Sequence, residues 1–245
     1  MLSNKRKKEI ISLKQKKFRQ RYGQFLVEGE KSVCELFNSN FNITEILLTE
    51  NYFTKSKIEF DKSKILIISE KDMKSISTVD TPPGIIAVSN FKDLSLNLKN
   101  LENKITLVVD DISAPGNLGT IIRIADWYGI ENLICSLNTV DMYNPKTINA
   151  TMGSFARVNV FYRDLSEFLN KTKIKKYACV MNGNSIETIN KQSEAIILIG
   201  NESKGISSKL IKSTDLKITI PRKGGAESLN AAIAAAIICH KFVFG

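Results

Sequence analysis

Histidine is almost missing from this chain: His240 is the single one in 245 residues. That excludes a zinc site built from several histidines, and a Ser-His-Asp triad would have to run through His240. His240 sits near the end of a helix-forming segment, where a core or C-capping place is the simpler reading. Cysteine is also scarce: Cys34, Cys135, Cys179 and Cys239 are widely spaced and form no CxxC pair. No apolar signal region follows the basic N-terminus, so these read as reduced thiols of a cytosolic protein. Long apolar runs are absent as well. The alanine-rich Ala231 to Cys239 falls far short of the roughly 18 residues that span a bilayer, so no membrane partner is expected. Neither GxGxxG nor a Walker loop occurs, which disfavours an ordinary dinucleotide site and an NTPase.

The bulk composition is that of a soluble globular chain, 43% apolar and 24% charged, with a length between one large domain and two small ones. The net charge is +10, and its placement is uneven. Between Met1 and Tyr22 stand nine basic residues, Lys5, Arg6, Lys7, Lys8, Lys14, Lys16, Lys17, Arg19 and Arg21, opposed only by Glu9. Ile10, Leu13 and Phe18 recur among them at roughly helical spacing, which predicts a short helix with one packed and one cationic face. Such a segment can simply be solvated. Charge this concentrated fits a polyanion better, through counterion release from phosphates.

Strand and helix patterns alternate in two blocks. The first has strands at Gln24–Glu28, Ile43–Thr49, Lys64–Ser69 and Ile85–Val88, with helices over Glu30–Phe37 and Glu70–Ile76. Asp93 to Lys104 is polar, rich in Asn, Lys and Leu, and reads as a linker with the boundary near residue 100. The second block opens with Ile105–Asp110, an apolar strand of the kind buried on both faces of a parallel sheet. A helix over Leu118–Tyr128 follows. Strands then come at Asn132–Cys135, Val158–Tyr162, Tyr177–Met181, Ala195–Ile199 and Leu216–Ile220, with a last helix over about Leu229–Phe242. The expected fold is α/β: a mostly parallel sheet with helices on both faces, preceded by a small α/β domain.

Ligands of open parallel sheets bind at the carboxyl ends of the strands, so the loops there carry the chemistry. Three are rich in Gly and Asn. One runs from Asp110 through Asn117 and Gly119 to Arg123. The second is Gly200-Asn201-Glu202-Ser203-Lys204-Gly205, and the third runs from Pro221 through Gly224 to Ser228-Leu229-Asn230. Each has a plain structural explanation. Asn117 and Ser228 could cap helices, the glycines could only turn the chain, and Arg123 could be a surface salt-bridge partner.

Taken together, the three loops resemble the three motifs of the SpoU (TrmH) family of RNA ribose 2′-O-methyltransferases, in the SPOUT superfamily. Asn117, Gly119 and Arg123 match the first motif, and Gly200, Asn201, Glu202 and Gly205 the second. Ile220, Pro221, Gly224, Ser228, Leu229 and Asn230 match the third. The match covers roughly Ile105 to Gly245. Arg222-Lys223 departs from it, since relatives often carry an apolar residue first. The segment Asp141–Lys146 to Thr151–Gly153 is also similar to the family, placing Lys146 toward RNA. The first block, with Phe25-Leu-Val-Glu28-Gly29-Glu30, is similar to L30e-type RNA-binding domains.

The resemblance implies S-adenosylmethionine as methyl donor, bound in a deep trefoil knot, with no metal. It assigns donor contacts to Gly200, Ile220 and Leu229, with Met181 and Asn182 as weaker candidates. Gly200 would be there so that no side chain obstructs the cofactor. Arg123 would activate the ribose hydroxyl. A neutral arginine is expensive, so holding the adjacent phosphate or developing oxyanion is the preferred role. Asn117 and Asn230 would orient the ribose or Arg123, Glu202 would steer Arg123 or its loop, and Ser228 would cap the last helix and touch substrate. Residues 1–98 would bind the RNA substrate and 104–245 would carry the methyltransferase, in a cytoplasmic homodimer.

The leading expectation is a 23S ribosomal RNA methyltransferase. A tRNA ribose 2′-O-methyltransferase is the alternative within the same chemistry. A catalytically inactive RNA-binding or ribosome-assembly protein is the alternative outside it, and the intact motif residues argue against it. A Rossmann-type methyltransferase would need a Gly-rich loop where this chain has Ser113-Ala-Pro-Gly-Asn117.

Overall fold

The structure, a computed structural model, describes residues 2–56 and 61–245. In chain order its elements are α1 (Asn4–Ser12), α2 (Lys16–Tyr22), β1 (Gln24–Glu28), α3 (Glu30–Phe37), β2 (Ile43–Thr49), α4 (Glu50–Lys55), β3 (Ile65–Ile68), α5 (Glu70–Ile76) and β4 (Ile85–Asn90). Then follow β5 (Ile105–Val109), α6 (Pro115–Trp127), β6 (Asn132–Ser136), α7 (Pro145–Thr151), β7 (Asn159–Arg163), α8 (Leu165–Lys171) and β8 (Lys176–Ser185). The chain closes with β9 (Ala195–Ile199), α9 (Ser208–Lys212), β10 (Leu216–Thr219) and α10 (Ala231–Phe244). Two compact units result: Met1–Asp93 with Tyr143–Ala156, and Leu94–Met142 with Arg157–Gly245.

The first unit is a four-stranded sheet of order β1-β4-β2-β3, in which only β2 and β3 run parallel. Ile10, Leu13, Leu26, Leu47, Met73, Ile76, Ile86 and Val88 fill its core. The basic leader forms two helices where the apolar spacing suggested one. The chain breaks at residues 13–15, and Arg19, 1% exposed, donates at 2.9 Å to the carbonyls of Leu13 and Lys14. A guanidinium there satisfies orphan carbonyls at the C-terminus of α1 and complements its dipole. Gly23, at φ +61°, then ends α2 in the left-handed region and turns the chain into β1.

Tyr143–Ala156 lies inside the sequence of the second block but packs into this unit. Tyr143 stacks on Phe91 at 4.1 Å between centroids and meets Phe25 at 4.5 Å, while Phe155 meets Phe25 edge-on. A cut near residue 100 therefore misses this excursion. Its cause is aromatic packing between residues far apart in sequence, which leaves no local signal.

The second unit is a six-stranded sheet of order β10-β8-β9-β5-β6-β7 with every pairing parallel. Buried on both faces, β5 and β9 sit at its centre, as their unbroken apolar sequences require. The stretch read as a linker is docked: Leu101 belongs to the core with Val108, Ile134, Phe161 and Leu198, and Leu94, Leu96 and Leu98 pack against it. β5 leads to β6 and β7 on one side, while β8, β9 and β10 fill the other. The order thus reverses at β5/β9, the place where open parallel sheets bind ligands beyond the carboxyl ends of their strands. No helix among the described residues is long and apolar enough to cross a membrane.

Candidate active site

The two loops at the switch point are tied to each other. The loop after β5 bends at Asp111, whose φ of +54° lies in the left-handed region that a non-glycine residue adopts rarely. That conformation is held from three sides. Asp111 donates its N–H to Ser136 Oγ (2.9 Å), its carbonyl accepts from Asn201 Nδ2 (2.8 Å), and its carboxylate pairs with Lys204 Nζ (2.8 Å). Lys204 is accordingly raised above its ordinary pKa of 10.5 by the bond to Asp111. Asp110 Oδ2 accepts from the backbone N–H of Ser207 (3.0 Å).

The loop after β9 closes on itself. Asn201 and Gly205 exchange backbone hydrogen bonds at 3.2 and 2.9 Å, and Asn201 Oδ1 accepts from Ser203 N and Lys204 N. A Cβ at Gly200 would overlap the backbone of Gly205 and Ile206. Glycine is therefore required by the loop's own closure, and the approach of a cofactor would add a second demand for the same residue.

Three motif residues meet. Asn117 Nδ2 donates to Glu202 Oε1, and Asn117 Oδ1 accepts from Asn230 Nδ2 at 3.0 Å. α6 opens at Pro115, so Asn117 is already inside the first turn and is not the cap expected for a helix starting at Leu118. Its amide is free to bridge the second loop to the third. Asn230, not Ser228, caps α10: its Oδ1 accepts from Ala232 N (3.0 Å) and Ile233 N (3.4 Å). One asparagine thus uses its oxygen on the helix terminus and its nitrogen on Asn117.

Arg123 is not part of this network. It is exposed on α6, six residues beyond Asn117 and about 9 Å further along the axis. Glu202 bonds Asn117 rather than Arg123. Ser228 is exposed in the third loop, where residues 221–230 are exposed throughout and Arg222 Nη1 donates to Ala226 O (2.9 Å).

On the other side, β8 pairs with β10 through Tyr177 and Ala178, then shifts register to Asn184 and Ser185. Residues 179–183 between these pairs form a bulge that presents Met181 and Asn182 to solvent. Thr219 Oγ1 holds the bulge by donating to Met181 O at 3.1 Å, and Ile220 follows directly. A Cβ at Gly183 would lie 2.7 Å from the Ile218 backbone, so the two strands cross too closely there for any other residue. Met181 and Leu229 are both exposed. Exposed apolar side chains beside a strand irregularity suit a small amphipathic ligand, which is the chemistry of an adenosyl and amino-acid moiety.

The sequence reading gave no role to Asp110, Asp111, Lys204 or Ser207, though adjacent aspartates at the end of a fully buried strand were a usable signal. His240 is an exposed residue inside α10, against Tyr128 and Phe244, not a core or capping residue. Cys135 and Cys239 are buried free thiols, and burial pushes the Cys239 thiol up to about 12. Among the described residues no group of three or more His, Cys, Asp or Glu could hold a metal ion.

Comparison with known proteins identifies the family. The profile of the SpoU rRNA Methylase family matches residues 104–240, and that of the MRM3-like substrate binding domain matches residues 4–87. The chain is 32% identical over 241 residues to the 23S rRNA (guanosine(2553)-2′-O)-methyltransferase RlmP of Bacillus subtilis, covering 97% of this chain and 95% of that one. A TrmH-family chain from Porphyromonas gingivalis superposes with a TM-score of 0.88 at 30% identity, covering 99% and 98% of the two chains. An AdoMet-bound rRNA methyltransferase from Sinorhizobium meliloti superposes with a TM-score of 0.86 at 26% identity, covering 98% and 95%.

Proposed function

The chain belongs to the SpoU rRNA methylase family, and from that premise we propose that it is an S-adenosylmethionine-dependent ribose 2′-O-methyltransferase of 23S ribosomal RNA. The observation that carries the reading is the joining of all three motif loops by Glu202, Asn117 and Asn230 at the carboxyl ends of β5 and β9. The large-subunit target is supported by the near full-length likeness to the B. subtilis enzyme. Residues 1–98 serve to bind the RNA and 104–245 to carry out transfer. The protein works in the cytoplasm, consistent with its unpaired cysteines.

S-adenosylmethionine supplies an electrophilic methyl group on a sulfonium. Backbone groups around Gly200, Ile220 and Leu229, with Met181 and Asn182 from the bulge, hold it, and residues near the C-terminus thread a deep trefoil knot. A ribose hydroxyl is a weak nucleophile, so the remaining tasks are orientation and disposal of its proton. Asn117 and Asn230, locked by each other and by Glu202, present fixed amides to the ribose. Arg123 holds the neighbouring phosphate or the developing oxyanion with its planar fork, and the proton leaves late, to solvent. Ser228 touches substrate from the third loop.

A homodimer brings Arg123 into place. Arg123 and Trp127 line the exposed side of α6, with Trp127 81% exposed; α6 packs against α10, which exposes Ile233, Ile237 and Phe244. Bulky apolar side chains left open along paired helices mark an interface, and a second copy covers this one.

Calorimetric titration with S-adenosylmethionine, followed by transfer of labelled methyl to total RNA from an unmodified host, tests the function. Binding plus label in 23S-sized RNA is the expected result. Label in tRNA moves the target to that class, and no binding by the folded protein ends the enzymatic reading.

A further inference from the structure

The nine basic residues of the leader are not equivalent. Four of them hold the fold. Arg6 donates to Glu45 and Gln24 and pairs with Glu9, and Lys7 pairs with Asp72. Lys14 donates to the carbonyls of Ser75 (3.1 Å) and Ser77 (2.7 Å), and Arg19 is buried on the end of α1. Three of the other five, Lys16, Lys17 and Arg21, are exposed on α2 and make no ion pair among the described residues. They are interleaved with two aromatic rings. Phe18 and Tyr22 stand one turn apart, 6.4 Å between centroids and within 15° of parallel. Lys17 Nζ lies 4.8 Å from the Phe18 centroid, and the Arg21 guanidinium 5.7 Å from that of Tyr22. Tyr22 is 36% exposed, at the last turn before the rigid Gly23 cap.

An aromatic ring pair alone would be ordinary helix packing. Here the exposed ring sits among cations with no acidic partner, and that combination matches a particular ligand. Single-stranded nucleic acid offers a flat π-face every nucleotide and a phosphate between each pair. A duplex offers the phosphates but keeps its bases stacked on one another.

We propose that α2 is a stacking platform for an unpaired segment of the RNA substrate, with a nucleobase on Tyr22, backed by Phe18, and the flanking phosphates on Lys16, Lys17 and Arg21. This rests on the RNA methyltransferase reading and deepens it, by assigning the single-strand recognition to named residues of the first unit. Arg21 also flattens against the base, because a guanidinium plane stacks as well as it pairs.

The test uses the full-length protein and two fluorescent probes, a 12-nucleotide oligouridylate and an RNA duplex of the same length, with affinity measured across a salt series. Tyr22→Ala should weaken binding of the single strand roughly tenfold and leave duplex binding within about twofold. Tyr22→Phe should restore the single-strand affinity. Tyr22→Leu, which keeps an apolar contact to Phe18 but no ring, should behave as the alanine variant. Replacing Lys16, Lys17 and Arg21 together by glutamine should lower the salt slope for the single strand by about 2. Equal losses on both probes, or leucine binding as well as phenylalanine, would overturn the platform. The enzymatic reading fails separately: a wild-type protein that binds oligouridylate through Tyr22 but transfers no methyl to any RNA would sink that reading and leave the platform standing.

Discussion

The second and third motif loops sit at the ends of strands of the same sheet and are built in opposite ways. The second, Gly200 to Ser207, is closed on itself and bonded to the first loop through Asn201, Lys204 and Ser207. The third, residues 221–230, is exposed along its whole length and held by one internal bond from Arg222 and by Asn230 at its end. Under the proposed function, the fixed contacts among Asn117, Glu202 and Asn230 orient the ribose, and the open run before Asn230 leaves room for a cofactor to enter. Groups that orient the ribose must be fixed before the reaction, because reorganising them would add to the barrier. Groups that admit a cofactor must first be open.

Substitution of the glycines should show the contrast at its largest. Gly200→Ala forces a side chain into the Gly205–Ile206 backbone and should cost about 1–3 kcal/mol, read as a melting temperature several degrees lower, with methyl transfer lost. Gly224→Ala, where an added Cβ meets nothing within 4 Å, should melt as wild type. Equal effects in the two loops would break the comparison.

Asn117→Ala removes the link between the second and third loops. Transfer should fall on the order of 10²-fold in kcat, with a stability loss of only about 1 kcal/mol. Single-turnover kinetics beside thermal melts separate the two, and a variant as unstable as Gly200→Ala would make Asn117 a structural residue.

Arg123→Lys sharpens the division further, because Arg123 has no hydrogen bond or ion pair among the described residues. The melting temperature should not move, while kcat/KM falls roughly tenfold or more as the planar fork is lost. Near-normal turnover would exclude the positioning role.

Lys204→Gln should have the smallest effect. The pair with Asp111 is on the surface, so no change in melting temperature is expected at neutral pH. Because Asp111 raises the Lys204 pKa, what the pair contributes is present below the ordinary lysine value of 10.5 and lost as pH rises past it. Any difference between wild type and variant should therefore fade as pH rises from 10.5 through the raised folded-state value.

Much of this organisation was legible in the sequence. The central strands announced themselves by unbroken apolar runs, and the three loops by Gly and Asn at strand ends. The helix starts were displaced, and that changed the chemistry. Pro115 is a better opening residue than Asn117, and Asn230 outcompetes Ser228 as a cap by a choice that propensity alone does not make. The docking of Tyr143 on Phe91 and the burial of Arg19 depend on partners whose positions only the folded chain supplies. The number of positive charges in the leader was plain from the start; which of them are committed to Glu45, Asp72 and backbone carbonyls was not.

The most direct test of a ribose 2′-O-methyltransferase is the chemical position of the transferred methyl. RNA labelled by the enzyme and S-adenosylmethionine is hydrolysed in alkali, which needs a free 2′-hydroxyl to cleave the adjacent phosphodiester. The label should survive in an alkali-resistant dinucleotide from 23S RNA. Label released in a mononucleotide would place the methyl on a base and contradict the assignment of Arg123, Asn117 and Asn230 to a ribose oxygen.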